Sequence, residues 1–166
     1  MPTDENPEPP QDPEHPGRLE PLEFRLGYLL KHAHLGLKKA STEALAPYGV
    51  DGHELAVMVV LAGDDPLSQA EAAARLGVDR TTMVALTDSL ESRGLVVRRR
   101  SLADRRKNIV ELTETGRARL YAAEDARRAA ERDFLAPLGE EGAASLLRRL
   151  HLLVAGEASR RDHGIT

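Results

Sequence analysis

Between Ser68 and Leu112, two short helical patterns meet at a single glycine and run into a pair of β-branched segments around a basic loop. Ser68 can cap the first helix, with Glu71 three residues on in the capping-box position. Leu76-Gly77-Val78 makes the turn, because glycine enters positive φ without steric cost. Asp79 can cap a second helix that runs to Arg93 and stops at Gly94, where a left-handed C-terminal residue is expected. Leu95-Val96-Val97-Arg98-Arg99-Arg100 and Asn108-Ile109-Val110-Glu111-Leu112 then read as strands, joined by the polar, basic stretch Ser101 to Lys107. A helix pair with a glycine turn, followed by a hairpin, is a helix-turn-helix carrying a wing.

Longer helical patterns flank this unit. Leu22, Leu26, Leu29, Leu30, Ala33, Leu37 and Ala40 recur at three- and four-residue spacing, which predicts a helix from about Leu19 to Ala46. Pro47 and Gly49 end it. Asp51 and Glu54 form a second capping box, and the helix they start should bury Leu55, Met58, Val59 and Ala62. Thr113 caps a helix over about Glu114 to Leu135, closed by Pro137 and Gly139. A last helix, from about Glu140 to Ala155, places Ala143, Leu146, Leu147, Leu150, Leu153 and Val154 on one face.

The chain has 166 residues, enough for one domain with a core that needs no staple. It has no cysteine, which excludes disulfides, thiolate metal sites and a cysteine redox switch. The net charge of −4 is unevenly placed. Residues 1–18 carry five acids against Arg18, so the rest of the chain sums to zero. Arg93 to Lys107 holds seven bases against Asp104 alone, and that local field favours a polyanionic partner. Residues 1–18 also hold six prolines and little apolar content, which predicts a disordered tail. Autoinhibition and a mere solvated leader are both open for it. No apolar run is long enough to span a bilayer and no signal peptide is visible, so the expected location is cytoplasmic, with no membrane partner. A phosphate loop, a nucleophile signature and a metal-ligand cluster are all absent from the sequence, and His34 and His53 stand alone. The expectation is a protein that is not an enzyme and uses no cofactor and no metal.

From about Leu19 onward the order of elements resembles the MarR family. The most specific match is Asp104-Arg105-Arg106-Lys107-Asn108-Ile109-Val110-Glu111-Leu112-Thr113, which is similar to the family's wing signature. Leu90-Glu91-Ser92-Arg93-Gly94-Leu95-Val96 and Leu67-Ser68-Gln69 through Val78 match in the same order. The resemblance implies a mainly α fold with a small β-hairpin wing, a winged helix-turn-helix at 51–113, and N- and C-terminal dimerisation helices at 19–46 and 114–166. It also implies a homodimer that binds an inverted-repeat operator in double-stranded DNA as a transcription regulator, by default a repressor. The apolar stripes point the same way. One small winged lobe cannot cover them, so Leu22, Leu26, Leu146, Leu147, Leu150, Leu153 and Val154 are expected to face a second copy. A winged-helix protein–protein module without DNA binding is the competing reading, and the basic wing argues against it.

On the recognition helix, Met83, Leu86 and Leu90 have core spacing, which leaves Arg80, Thr81, Thr82, Val84 and Ala85 toward the major groove. Arg80 can reach a phosphate or a guanine edge, and the two threonines can donate to phosphate or base. Thr82 can equally serve only the helix cap with Asp79. Val84 and Ala85 stand where family members often carry a polar residue and an arginine, so contact with thymine methyls is expected in their place. The resemblance implies that Arg106 enters the minor groove and that Asp104 holds it. Arg98, Arg100, Arg105 and Lys107 complete the expected DNA-contacting set, with Arg98, Arg100 and Lys107 on phosphate. A solvated strand edge is the other reading for Arg98 to Arg100. The resemblance further implies a pocket for a small aromatic or phenolic acid effector. Arg25, Tyr28 and His32, at i, i+3 and i+7, could bind such a ligand or could form a plain solvated helix edge.

Overall fold

The computed structural model describes residues 21–63, 65–100 and 108–163, and the side chains of all of these except Asn108 and 157–163. Helices dominate it, and they run α1 (Leu26–Leu45), α2 (Gly52–Leu61), α3 (Gln69–Leu76), α4 (Arg80–Ser92), α5 (Glu114–Leu135) and α6 (Gly139–His163). Strands β1 (Leu67–Ser68), β2 (Val96–Arg100) and β3 (Asn108–Leu112) form an antiparallel sheet in the order β1-β3-β2. No single helix among the described residues is long and apolar enough to cross a membrane.

Local chemistry accounts for these boundaries. Asp51 accepts from the backbone of His53 and Glu54 at 2.8 and 2.9 Å, and Glu54 reaches back to the Asp51 amide at 3.2 Å. Ser68 and Glu71 repeat that reciprocal box at the start of α3. Thr113 starts α5 by accepting from Gly116 at 2.9 Å. Gly77 sits at φ 66°, a backbone region that an L side chain enters only at a cost, and this turns α3 into α4.

The core lies under the winged unit. Val57, Met58 and Leu61 of α2, Met83 and Leu90 of α4, and Val96, Val110 and Leu112 of the sheet pack with Leu120 and Ala123 of α5. Gly116 is buried because α5 crosses the Leu95 backbone directly: a Cβ there would lie 1.9 Å from the Leu95 carbonyl oxygen.

Several expectations are corrected. Val59 is 49% exposed, and Val57 takes its place in the buried stripe of α2. That helix is packed on more than one side, so a single stripe was too narrow a description. The first helix begins at Leu26 rather than Leu19. Leu22–Phe24 form a 3-10 turn, and Arg25 is extended with ψ 131°. The last helix continues to His163, well past Ala155, because no proline or left-handed glycine stops it there. The short β1 was not anticipated. It is two residues long, and its pairing of Leu67 with Val110 and Ser68 with Ile109 is a tertiary property.

Candidate nucleic-acid interface

Helix α4 is built to present one face. Met83, Thr87 and Leu90 are buried, whereas Arg80, Thr81, Thr82, Val84, Ala85 and Asp88 are exposed. Thr81, Val84, Ala85 and Asp88 are spaced so that they share one stripe. At the N-terminus the Thr82 hydroxyl donates to Asp79 Oδ2 at 2.7 Å, and its amide donates to Oδ1 at 2.9 Å. The hydrogen bond from the Thr82 hydroxyl, with the backbone amides behind it, holds the Asp79 carboxyl below its usual range. Thr82 therefore serves the cap, one of the two roles open to it. Thr87 is polar but enters the core because its hydroxyl donates to the Met83 carbonyl at 2.8 Å.

The C-terminal half of α4 is tied to α2. Glu54 is buried, and its Oε1 accepts from the Ser89 hydroxyl at 2.8 Å and from Arg93 Nη2 at 2.5 Å. Arg93 also donates to the Gly49 carbonyl. Through Glu54, the capping box that starts α2 thus extends onto the recognition helix. Of this the sequence shows only a capping-box acid and an arginine at the exit of α4; the burial of Glu54 is a tertiary property.

The hairpin follows at once, in the register Val96↔Leu112 through Arg100↔Asn108. Arg100 is exposed, and Arg99 lies 3.6 Å from Glu111. Arg98 differs from the expected phosphate contact. Its guanidinium pairs with Asp88 and Glu91 of α4, so its charge is already matched. Burial works to lower its pKa, but the hydrogen bond to Asp88 and the charges of Glu91 and Asp88 together raise it. Asp88 and Glu91, one turn apart and close in sequence to a strand arginine, were the signal for this pairing. Asp104, Arg105, Arg106 and Lys107 lie outside the described residues.

The expected ligand trio is only partly assembled. Tyr28 and His32 stack with ring centroids 3.9 Å apart, and His32 Nδ1 lies 2.9 Å from the Tyr28 carbonyl oxygen. Arg25 is the N-cap residue of α1 with an extended backbone, so it stands at the start of the helix rather than within it. A cleft of about 420 Å³ lies elsewhere, between α1, α2 and α5, and is lined by Ser41, Leu45, Leu55, Val59, Glu124 and Arg127 among others. Leu22, Leu26, Leu146, Leu147, Leu153 and Val154 are exposed in the single chain, and Leu150 is half-buried. Among the described residues no group of three or more His, Asp or Glu side chains could hold a metal ion.

A model of the MarR family matches residues 48–107, the stretch from the α1–α2 corner to the residue before β3. A Thauera aromatica protein, described as a putative transcriptional regulatory protein for the hcr operon, is 33% identical over 130 residues, which cover 78% of this chain and 75% of that protein. The chain belongs to the MarR family. Two solved structures are similar to it over most of the chain. The transcriptional repressor CouR, bound to a 23-mer DNA duplex, is 35% identical with a TM-score of 0.73, over 80% of this chain and 94% of that one. CouR from Rhodococcus jostii RHA1, bound to p-coumaroyl-CoA, is 28% identical with a TM-score of 0.71, over 84% and 96%. This MarR-family chain thus has the winged helix fold that its sequence led one to expect, with the exposed α4 face set beside the root of the wing.

Proposed function

We propose that this MarR-family protein is a homodimeric transcription repressor in the cytoplasm, not an enzyme, that binds an inverted-repeat operator and is released by a small aromatic or phenolic effector. The observation that carries the reading is the exposed stripe of α4 next to a hairpin whose sequence is strongly basic. Arg80, Thr81, Val84 and Ala85 would meet the major groove, with Arg100, Arg105 and Lys107 on phosphates and Arg106, steadied by Asp104, in the minor groove. The likeness to a DNA-bound repressor supports this over a protein-interaction module. The cleft between α1, α2 and α5 is the better place for the effector. It has an apolar floor of Leu45 and Leu55 and the Glu124–Arg127 ion pair at its side, which suits an aromatic ring that carries a polar group. The Tyr28–His32 pair does not line it. A CouR structure with p-coumaroyl-CoA supports that ligand class.

An electrophoretic shift on duplexes from the region upstream of the protein's own gene tests the reading. A dimer neutralising about 6–10 phosphates should lose about a thousandfold or more in affinity between low and moderate salt. A flat plot of log affinity against log salt rules the reading out. Arg106→Ala should relax preference at the half-site flanks, whereas Lys107→Ala should lower affinity evenly and reduce the salt slope by about one.

A further inference from the structure

Arg98 stands apart from the arginines beside it. Its side chain is 27% exposed, against 68% for Arg99. Two of its groups turn back to α4. Its backbone amide donates to Glu91 Oε1 at 3.2 Å, and its guanidinium donates to Glu91 Oε2 and to Asp88 Oδ1. Both oxygens of Glu91 are thus taken by a single residue, one by main chain and one by side chain. That fixes the strand in direction as well as in distance. One planar guanidinium spans two carboxylates a helical turn apart, a geometry that a lysine ammonium cannot reproduce.

The placement of the partners matters as much as the bonds. Asp88 shares the exposed stripe of α4 with Thr81, Val84 and Ala85. Unpaired, its carboxylate would lie on the face that approaches a polyanion. Arg98 sits midway along β2, which leads from the end of α4 into the basic loop. Arg98 is therefore a second joint between α4 and the hairpin, beyond the turn at Gly94 and the bond from the Leu95 amide to the Leu90 carbonyl.

We propose that Arg98, Asp88 and Glu91 form a clamp that sets the angle between α4 and the β2–β3 hairpin, so that Arg98 governs operator specificity by positioning two DNA-reading elements rather than by touching DNA. The inference rests on the DNA-binding reading above, and it makes Arg98 a positioning residue.

The double variant Asp88→Asn/Glu91→Gln separates the clamp from a phosphate contact. It removes two negative charges and frees Arg98. If Arg98 serves phosphate, the variant binds every duplex more tightly and keeps the ratio of operator to scrambled affinity. If Arg98 is a clamp, scrambled duplex is bound more tightly but the ratio falls by about tenfold, the scale of one well-placed base contact. Arg98→Gln should lower the ratio comparably, and Arg98→Lys should fail to restore it. A ratio within about twofold of the unaltered protein's in the double variant overturns the proposal, since a base contact left in place keeps its discrimination. Melting curves without DNA supply a second reading. Arg98→Gln and Glu91→Gln should be non-additive in a double-mutant cycle, and additive shifts also overturn the clamp. If the unaltered chain binds no duplex from its own upstream region, the DNA-binding reading fails, and the melting cycle still decides whether the clamp exists.

Discussion

The winged lobe and the helical arms of this protein obey different rules of burial. In the lobe, Val57, Met83, Leu90, Val96 and Val110 from α2, α4, β2 and β3 are essentially inaccessible, so one chain closes this core unaided. In the arms, Leu26 is 68% exposed, Leu152 74% and Val154 69%. Leu45 is the single buried residue of α1. Apolar surface of that extent on long helices is left for another surface to cover. The lobe is thus complete in one copy, while the arms, in the dimer proposed above, would form half of an interface. Helix α5 belongs to both: Gly116, Leu120 and Ala123 are buried toward the lobe, and Phe134 and Leu135 line a groove of about 250 Å³ with Leu30, Leu37, Leu146 and Leu150.

The most disruptive test of this contrast is Leu150→Asp. In the assembled dimer it would bury an unpaired charge and cost about 3–5 kcal/mol. Sedimentation should show dissociation, while amide exchange in α2, α4 and the sheet keeps its protection. If the unaltered chain sediments as a folded monomer at micromolar concentration, the contrast is broken, because the arms are then stable uncovered.

Next in size is Gly116→Ala, which attacks the lobe. The added Cβ meets the Leu95 carbonyl oxygen at 1.9 Å, and this neighbour is backbone that cannot swing aside. The same corner is held by Thr113, whose hydroxyl donates to the Gly94 carbonyl at 2.7 Å and whose amide donates to the Leu95 carbonyl at 3.1 Å. Overpacking of this kind costs about 1–3 kcal/mol, occasionally more. The melting temperature should drop while the dimer persists at low temperature. An unchanged melting curve would show that α5 does not pin the lobe as tightly as the packing indicates.

The same contrast governs what could be read from the residues. The helices, both capping boxes, the Asp79 and Thr113 caps and the β2–β3 hairpin follow from local chemistry, and short-range rules reach them. The exposed residues Arg80, Thr81, Val84 and Ala85 were legible for the same reason, since a 3.6-residue period sorts a helix into faces. What escaped depends on partners in other elements, whatever their distance along the chain. Val57 rather than Val59 is buried because other elements cover that side of α2. β1 exists because β3 offers it an edge. Glu54 is buried because Ser89 and Arg93 satisfy it, and Arg98 turns inward because α4 places two acids beneath it. In the Arg25, Tyr28 and His32 trio the departure is a single local event, the extended backbone at Arg25, which puts that residue at the cap of the helix on which the spacing was counted.

The smallest effect lies at the seam between the two regions. Glu124 accepts from Arg127 Nη2 at 2.7 Å and Nε at 2.9 Å, and from Arg128 Nε at 3.1 Å. The hydrogen bond from Arg127 holds its carboxyl below the ordinary glutamate range, against an opposing contribution from burial. A carboxyl whose pKa is lowered on folding stabilises the fold above its unfolded pKa, about 4.3, and this contribution is lost as pH falls through the folded value. Glu124→Gln should therefore cost about 0.5–1 kcal/mol at neutral pH, the range of a well-formed helical ion-pair network near the surface. The difference between variant and unaltered protein should shrink as pH drops below about 4.3 and vanish in stronger acid. Arg127 retains Glu131 as a partner at 2.7 Å, which keeps the loss small. Urea melts of both proteins at neutral pH and at a series of acid values measure this. A gap that stays constant with pH would mean that Glu124 acts by packing against the cleft, and the seam would then belong with the lobe's apolar core rather than with a charged boundary between lobe and arms.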